Sequence, residues 1–135
     1  MDAPAVAVSY DGKKMAAAWM DMRAGRNDRD VQWTLGTGGK FTPESPAHDA
    51  TQGTQGHPSV TFDKDGVAWC AWEDSRNGPN SVRIYVVDSK TRKNVPISDE
   101  GEGKCGYPSL ACGGGILGIV YESSAGVAFR AISSP

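Results

Sequence analysis

The chain has 135 residues, 39% of them hydrophobic and 22% charged, which is the balance of one globular domain with a real core. A formal net charge of −2 gives no field to hold nucleic acid or an anionic membrane. No apolar run approaches membrane-spanning length and no basic-then-hydrophobic leader opens the chain; the expectation is a soluble protein with no signal peptide in the chain as given and its compartment left open.

Period-two patterning and turn residues divide the chain into short strands. Pro4-Ala5-Val6 opens a first strand, and Asp11-Gly12 is the turn after it. Met15 to Trp19 is rich in alanine, yet its place in the pattern makes it a second strand despite propensity. The loop Trp19-Met20-Asp21-Met22-Arg23-Ala24-Gly25 follows, and a hairpin is expected at Gly38-Gly39. The next strands are Ser59 to Phe62, ending at Asp63-Lys64-Asp65-Gly66, and Val67 to Trp72. After the loop Trp72-Glu73-Asp74-Ser75-Arg76-Asn77-Gly78 come Val82 to Val87, the polar turn Asp88 to Lys93, and Asn94 to Ser98. A final set begins at Pro108-Ser109-Leu110 and turns at Gly114-Gly115. It carries Tyr121-Glu122-Ser123-Ser124-Ala125-Gly126 where the earlier loops have their Arg.

These sets repeat one another. Asp49 to Val60 and Asp99 to Leu110 align without a gap, 50 residues apart, as Asp-x-x-x-Gly-x-x-Gly-(His/Tyr)-Pro-Ser-(Val/Leu). Pro4 stands 54 residues before Pro58 and opens a weaker third copy. The units run about 4–57, 58–107 and 108–135, in a single repeat domain over 1–135. Four short antiparallel strands in such a unit are the arithmetic of a β-propeller blade. A β-sandwich has a similar strand count but does not require each group of four strands to repeat the loops of the last.

Pro-Ser-Val, a turn, Trp-x-Asp-x-Arg-x-Gly and an amphipathic strand together resemble the blades of sialidase-like propellers with Asp-box (BNR) repeats. In that family the box looks like Ser-x-Asp-x-Gly-x-Thr-Trp, between strands three and four. Thr34-Leu35-Gly36-Thr37-Gly38-Gly39-Lys40-Phe41 keeps a Gly and a terminal aromatic there but lacks the Asp, and Ser89-Lys90-Thr91-Arg92-Lys93 carries no box. The resemblance implies an all-β fold of about three four-stranded antiparallel blades, the last incomplete, forming half of a six-bladed sialidase-like ring. It speaks for fold more than for activity.

Strand parity puts the Trp-x-Asp-x-Arg-x-Gly loops and the Gly-(His/Tyr)-Pro-Ser loops at one end of the strands, and the family resemblance implies a ligand site there. The candidates are Asp21, Arg23, Asp74, Arg76, His57 and Tyr107. An arginine fork suits carboxylate or sugar oxygens, and His57 and Tyr107 could stack on a sugar face. The opposing reading is that each Arg pairs with an Asp and pins its loop to the neighbouring blade. Trp19, Trp72 and Tyr121 end second strands and read as core. Asp63-Lys64-Asp65-Gly66 lacks the later ligands of a calcium loop and reads as a hairpin turn. Gly113-Gly114-Gly115 has no helix after it to make a phosphate loop. His48 and His57 come with no nucleophile motif, and Cys70, Cys105 and Cys112 have no metal-ligand spacing, so no catalytic residue, metal or cofactor is assigned.

The functional expectation is a non-catalytic propeller module that works within a larger ring, with a glycan or other polar ligand on the Asp/Arg loop face. The alternatives are a structural or protein-interaction scaffold and a fragment or subunit of a sialidase-like glycoside hydrolase. As given, the chain stops after a third strand, at Ser133-Ser134-Pro135, and open edges are usually paired or covered. A homodimer would complete six blades, and small lectins that assemble a propeller from several chains look like a precedent. The rival explanation is that the chain was cut from a longer protein.

Overall fold

The computed structural model describes residues 4–22 and 29–132. They form three antiparallel sheets in chain order. The first holds β1 (Ala5–Val8), β2 (Lys14–Asp21), β3 (Asp30–Thr37), β4 (Lys40–Phe41) and β5 (Ser45–Pro46). The second holds β6 (Gln55–Phe62), β7 (Ala68–Asp74), β8 (Arg83–Asp88) and β9 (Val95–Pro96). The third holds β10 (Gly106–Gly113), β11 (Ile116–Ser123) and β12 (Gly126–Ile132). Among the described residues no helix is long and apolar enough to cross a membrane.

Each sheet is a meander in which neighbouring strands pair in order. The second strands sit where the sequence pattern puts them, including alanine-rich β2, which pairs with β3 from Lys14↔Thr37 to Asp21↔Asp30. Packing against the second sheet overrides the modest strand propensity of alanine there. The fourth strands are short. In the first sheet, β3 is followed by two fragments, β4 and β5, on either side of Pro43. In the second, Pro96 removes a ladder donor and β9 spans two residues instead of Asn94 to Ser98. The edge is still satisfied, because Ile97 N donates to Ile84 O at 2.8 Å and Ile84 N donates to Ser98 Oγ at 2.9 Å.

The middle sheet is buried on both faces. Along β7 the side chains alternate: Ala68, Cys70 and Trp72 join Ala16, Ala18, Val31 and Trp33 of the first sheet in one core cluster. Trp69 and Ala71 join Leu110, Leu117, Ile119 and Tyr121 of the third sheet in a second cluster. The run Ala-Trp-Cys-Ala-Trp is therefore continuously apolar because both sides of its strand are covered. Cys70, Cys105 and Cys112 are all free thiols, and burial pushes that of Cys70 far up. They pack as small hydrophobes.

The hairpin turns are organised by carboxylates. Asp63 Oδ1 accepts from the amides of Asp65 and Val67, and Oδ2 accepts from Trp69 Nε1 at 2.9 Å. That carboxylate is consumed by its own turn, as the hairpin reading requires. Asp88 does the same work at the next turn, accepting from the amides of Lys90 and Thr91 and from the Thr91 hydroxyl. A carboxylate-held turn thus stands between the third and fourth strands of the second unit without the residues of an Asp-box.

Candidate functional site

Two neighbouring groups of residues occupy the loop end of the second sheet. The first is built on Asp74, whose side chain is fully buried at the end of β7. Its Oδ2 accepts from Trp72 Nε1 at 2.8 Å and from Arg76 Nη2 at 2.9 Å. Its Oδ1 accepts from the Arg76 amide at 2.8 Å and, more distantly, from Gln55 Nε2. Arg76 also donates through Nη1 to Asp49 Oδ1 at 2.8 Å and through Nη2 to Asn94 Oδ1 at 3.0 Å. Its guanidinium lies 4.1 Å from the centroid of the Tyr85 ring. Burial acts to lower its pKa, but the bond and charge of Asp74 and the bond to Asp49 outweigh it and hold the pKa above the ordinary arginine value.

These bonds join three segments. Asp49 belongs to the linker from the first sheet, Asn94 leads into β9, and Asn94 Nδ2 reaches back to Ala47 O at 3.3 Å. The linker and the loop also meet through Thr54 and Ser75, whose backbones and hydroxyls bond one another. The approach is close: a Cβ at Gly53, which has φ 78°, would lie 2.6 Å from Ser75 O. Both loop classes therefore share one end of the sheet, as strand parity requires. In the first sheet Trp19 Nε1 donates to Asp21 Oδ2 at 3.4 Å, so the Trp-x-Asp bond recurs there. Arg23 lies outside the described residues.

The second group is built on His57 and Tyr107. Both occupy the left-handed region, with φ of 48° and 51°, and both precede a proline. The conformation is uncommon outside glycine, and bulky tyrosine rarely adopts it while histidine tolerates it better. A following proline favours extended backbone at both positions, so each site holds a strained backbone. The cause is a bulge repeated in both sheets, at Gly56/Ser59 in β6 and Gly106/Ser109 in β10. These bulges let pairing start at Gln55 and Gly106, on the linker side of Pro58 and Pro108, ahead of the unit boundaries expected from sequence.

The bulges bring the two rings together across the gap between sheets, with centroids 4.5 Å apart and planes inclined by 31°. Glu73 sits beneath them. Its Oε2 lies 2.5 Å from His57 Nδ1 and accepts from the Tyr107 amide at 2.8 Å. Tyr107 remains 62% exposed. Met20, Arg29, Gly56 and Val82 line a small hollow with His57 and Glu73, so an arginine stands at its rim. His48, the other histidine, is buried with its Nε2 3.3 Å from Asp30 Oδ1.

The structure thus gathers His57 with Tyr107 and, separately, Asp74 with Arg76. Glu73 and Arg29 were not singled out from sequence. A signal for Glu73 existed: on a strand that buries Trp72 and Asp74 on one side, the residue between them must point to the other. In the third sheet an equivalent of the Asp74 group exists with different residues. Tyr121 OH bonds both carboxylate oxygens of Glu102 at 2.9 Å, and Arg130 Nη2 donates to Glu102 Oε1 at 3.0 Å. Burial, then the Glu102 carboxylate, pushes the Tyr121 phenol up to about 12. The Asp99 amide, aided by Tyr121 and Arg130, holds Glu102 below the usual carboxylate range. Among the described residues no group of His, Cys, Asp and Glu is arranged to hold a metal ion.

No protein-family model matches the chain, and no curated protein matches it. Among solved structures it is similar to the Hadza microbial sialidase Hz136, with a TM-score of 0.58 and 14% sequence identity. That match covers 96% of this chain and 30% of the sialidase, so the chain spans under a third of that protein's length. At this identity the likeness concerns architecture alone: three antiparallel sheets in sequence, in an all-β, sialidase-like fold.

Proposed function

We propose that the chain is a non-catalytic propeller module that works as part of a larger ring and binds a glycan on its loop end. The observation that carries this is the pair of strained bulges. Two successive units each place an aromatic residue in the same left-handed conformation, and the two rings meet over one shared carboxylate. Strain of this kind costs about 1–3 kcal/mol per residue and persists where surrounding structure enforces it, typically at ligand sites. An exposed tyrosine face beside an imidazole suits the apolar face of a sugar ring, while Arg29 at the rim suits a sugar carboxylate. Asp21 belongs to the same end of the first sheet, and in this reading Asp74 and Arg76 hold the loop that frames the site.

A glycan array probed with the native chain and with Tyr107→Ala tests the reading. Binding to a defined set of glycans, lost in the variant while its circular dichroism is unchanged, is the expected result. No binding by the native chain, or binding indifferent to Tyr107→Ala, would sink it. A second reading, a piece of a sialidase-like hydrolase, draws on the similarity to under a third of one such enzyme. Release of a fluorogenic aglycone from a sialoside by this chain would favour it.

A further inference from the structure

We infer that the chain associates head to tail with a second copy of itself, through one more repetition of the joint that already links its sheets. This rests on the ring-assembly half of the reading above and not on ligand binding. The joint has two unlike faces. The face a sheet turns toward its predecessor carries Val60, Phe62, Cys70 and Trp72 in the second sheet, and Leu110, Cys112, Ile119 and Tyr121 in the third. The face turned toward the next sheet carries Ser59, Trp69, Ala71 and Glu73 in the second.

Polar seats accompany the apolar contact. Ser59 Oγ accepts from the Leu110 amide of the following sheet at 3.0 Å, and Glu73 accepts from the amide of Tyr107. Both lie where the incoming first strand has its bulge, so the joint fixes register as well as burying area.

Among the described residues each kind of face is also present once without a cover. By the same alignment the first sheet's outer face carries Val6, Val8, Met15, Ala17 and Trp19, with Val6 65% and Val8 57% exposed. The third sheet's outer face carries Val120, Val127 and Phe129, the last 62% exposed. Ser109 and Glu122 stand on that face at the positions of Ser59 and Glu73, and both are exposed. The uncovered faces are therefore the two halves of an interface the chain already makes twice. Apolar sheet faces of this kind mark association surfaces. An unlike pair of faces joins head to tail, and two copies close by a two-fold axis, the commonest symmetry, with Ser109 and Glu122 of each copy seated on the first strand of the other.

Light scattering on a sizing column tests this with the native chain and two variants, Val120→Arg on one face and Val6→Arg on the other. The native chain should elute with the mass of two chains. Each variant alone should elute with the mass of one chain, with its far-ultraviolet spectrum unchanged. Mixing the two variants should restore association, because one joint in the mixed pair has both native faces. A native chain that stays single at every concentration, an open ladder of larger species, or a dimer indifferent to both variants would each overturn the proposal. A single-chain species that still binds glycan through Tyr107 would overturn this inference alone and leave the ligand site standing.

Discussion

The second and third sheets anchor the same aromatic position in two different ways. In the second, Trp72 donates to Asp74 two residues on, and the partner Arg76 lies on the same loop. In the third, Tyr121 bonds Glu102 from the preceding linker, and the arginine comes from the next strand as Arg130. The linker aspartates correspond as well: Arg76 pairs with Asp49 at 2.8 Å, and Arg130 lies 3.9 Å from Asp99. What these two sheets share is an aromatic, a carboxylate and a guanidinium at one end. The positions supplying them are free to move. Burial differs too, since Asp74 is fully enclosed whereas Arg130 is 40% exposed, and this difference orders the expected effects of breaking each anchor.

The largest loss is expected for Asp74→Ala. It removes the buried acceptor of the Trp72 indole and of the Arg76 amide, and leaves half-buried Arg76 with Asp49 and Asn94 alone. Breaking a fully buried pair costs about 3–5 kcal/mol, and the partial exposure of Arg76 puts the expectation at the low end of that range. A urea melt would show the midpoint fall steeply, and a shift within noise would mean the anchor is decorative. Tyr121→Phe removes a phenol from a carboxylate, for which about 1.5–3 kcal/mol is expected because the acceptor is charged. The same melt measures it, and Glu102→Gln should weaken the sheet in the same direction.

The third anchor also responds to pH at both ends of the scale. Glu102 is depressed in the folded chain, so its contribution is present above the ordinary carboxylate range and lost as pH falls through the lowered value. Tyr121 is raised to about 12, so its contribution is intact below the ordinary tyrosine value, near 10, and lost as pH climbs toward 12. Following tyrosinate absorbance should show one phenol titrating late, and Glu102→Gln should bring it earlier. The smallest effect is expected for Arg130→Ala. A pair this exposed is worth about 1 kcal/mol at most, and that part should fade with added salt.

The repeat was legible because it lies in linear order: Asp-x-x-x-Gly-x-x-Gly followed by Pro-Ser appears twice at one spacing, and the hairpins and second strands fell where it put them. The anchor in the third unit was not legible, because its Arg is absent from the aligned loop and returns on β12. Nor was the bulge. A residue before proline reads as extended, and only pairing on both sides of Pro58 and Pro108 forces His57 and Tyr107 into the left-handed region. The fourth strand of the second unit was overdrawn because Pro96 interrupts a ladder that hydrophobic alternation alone would continue. Arg76 was legible as a loop arginine beside Asp74, and it bonds Asp74, Asp49 and Asn94.

The bulge pair is most directly tested by titrating the isotope-labelled chain with an acidic sugar, sialic acid, and a neutral one, galactose, while following backbone amide resonances. Perturbations concentrated at His57 and Tyr107, and absent in Tyr107→Ala, are the expected result. Resonances unmoved there at millimolar sugar, or moved most around Asp74 and Arg76, would contradict the assignment of the site to the bulges.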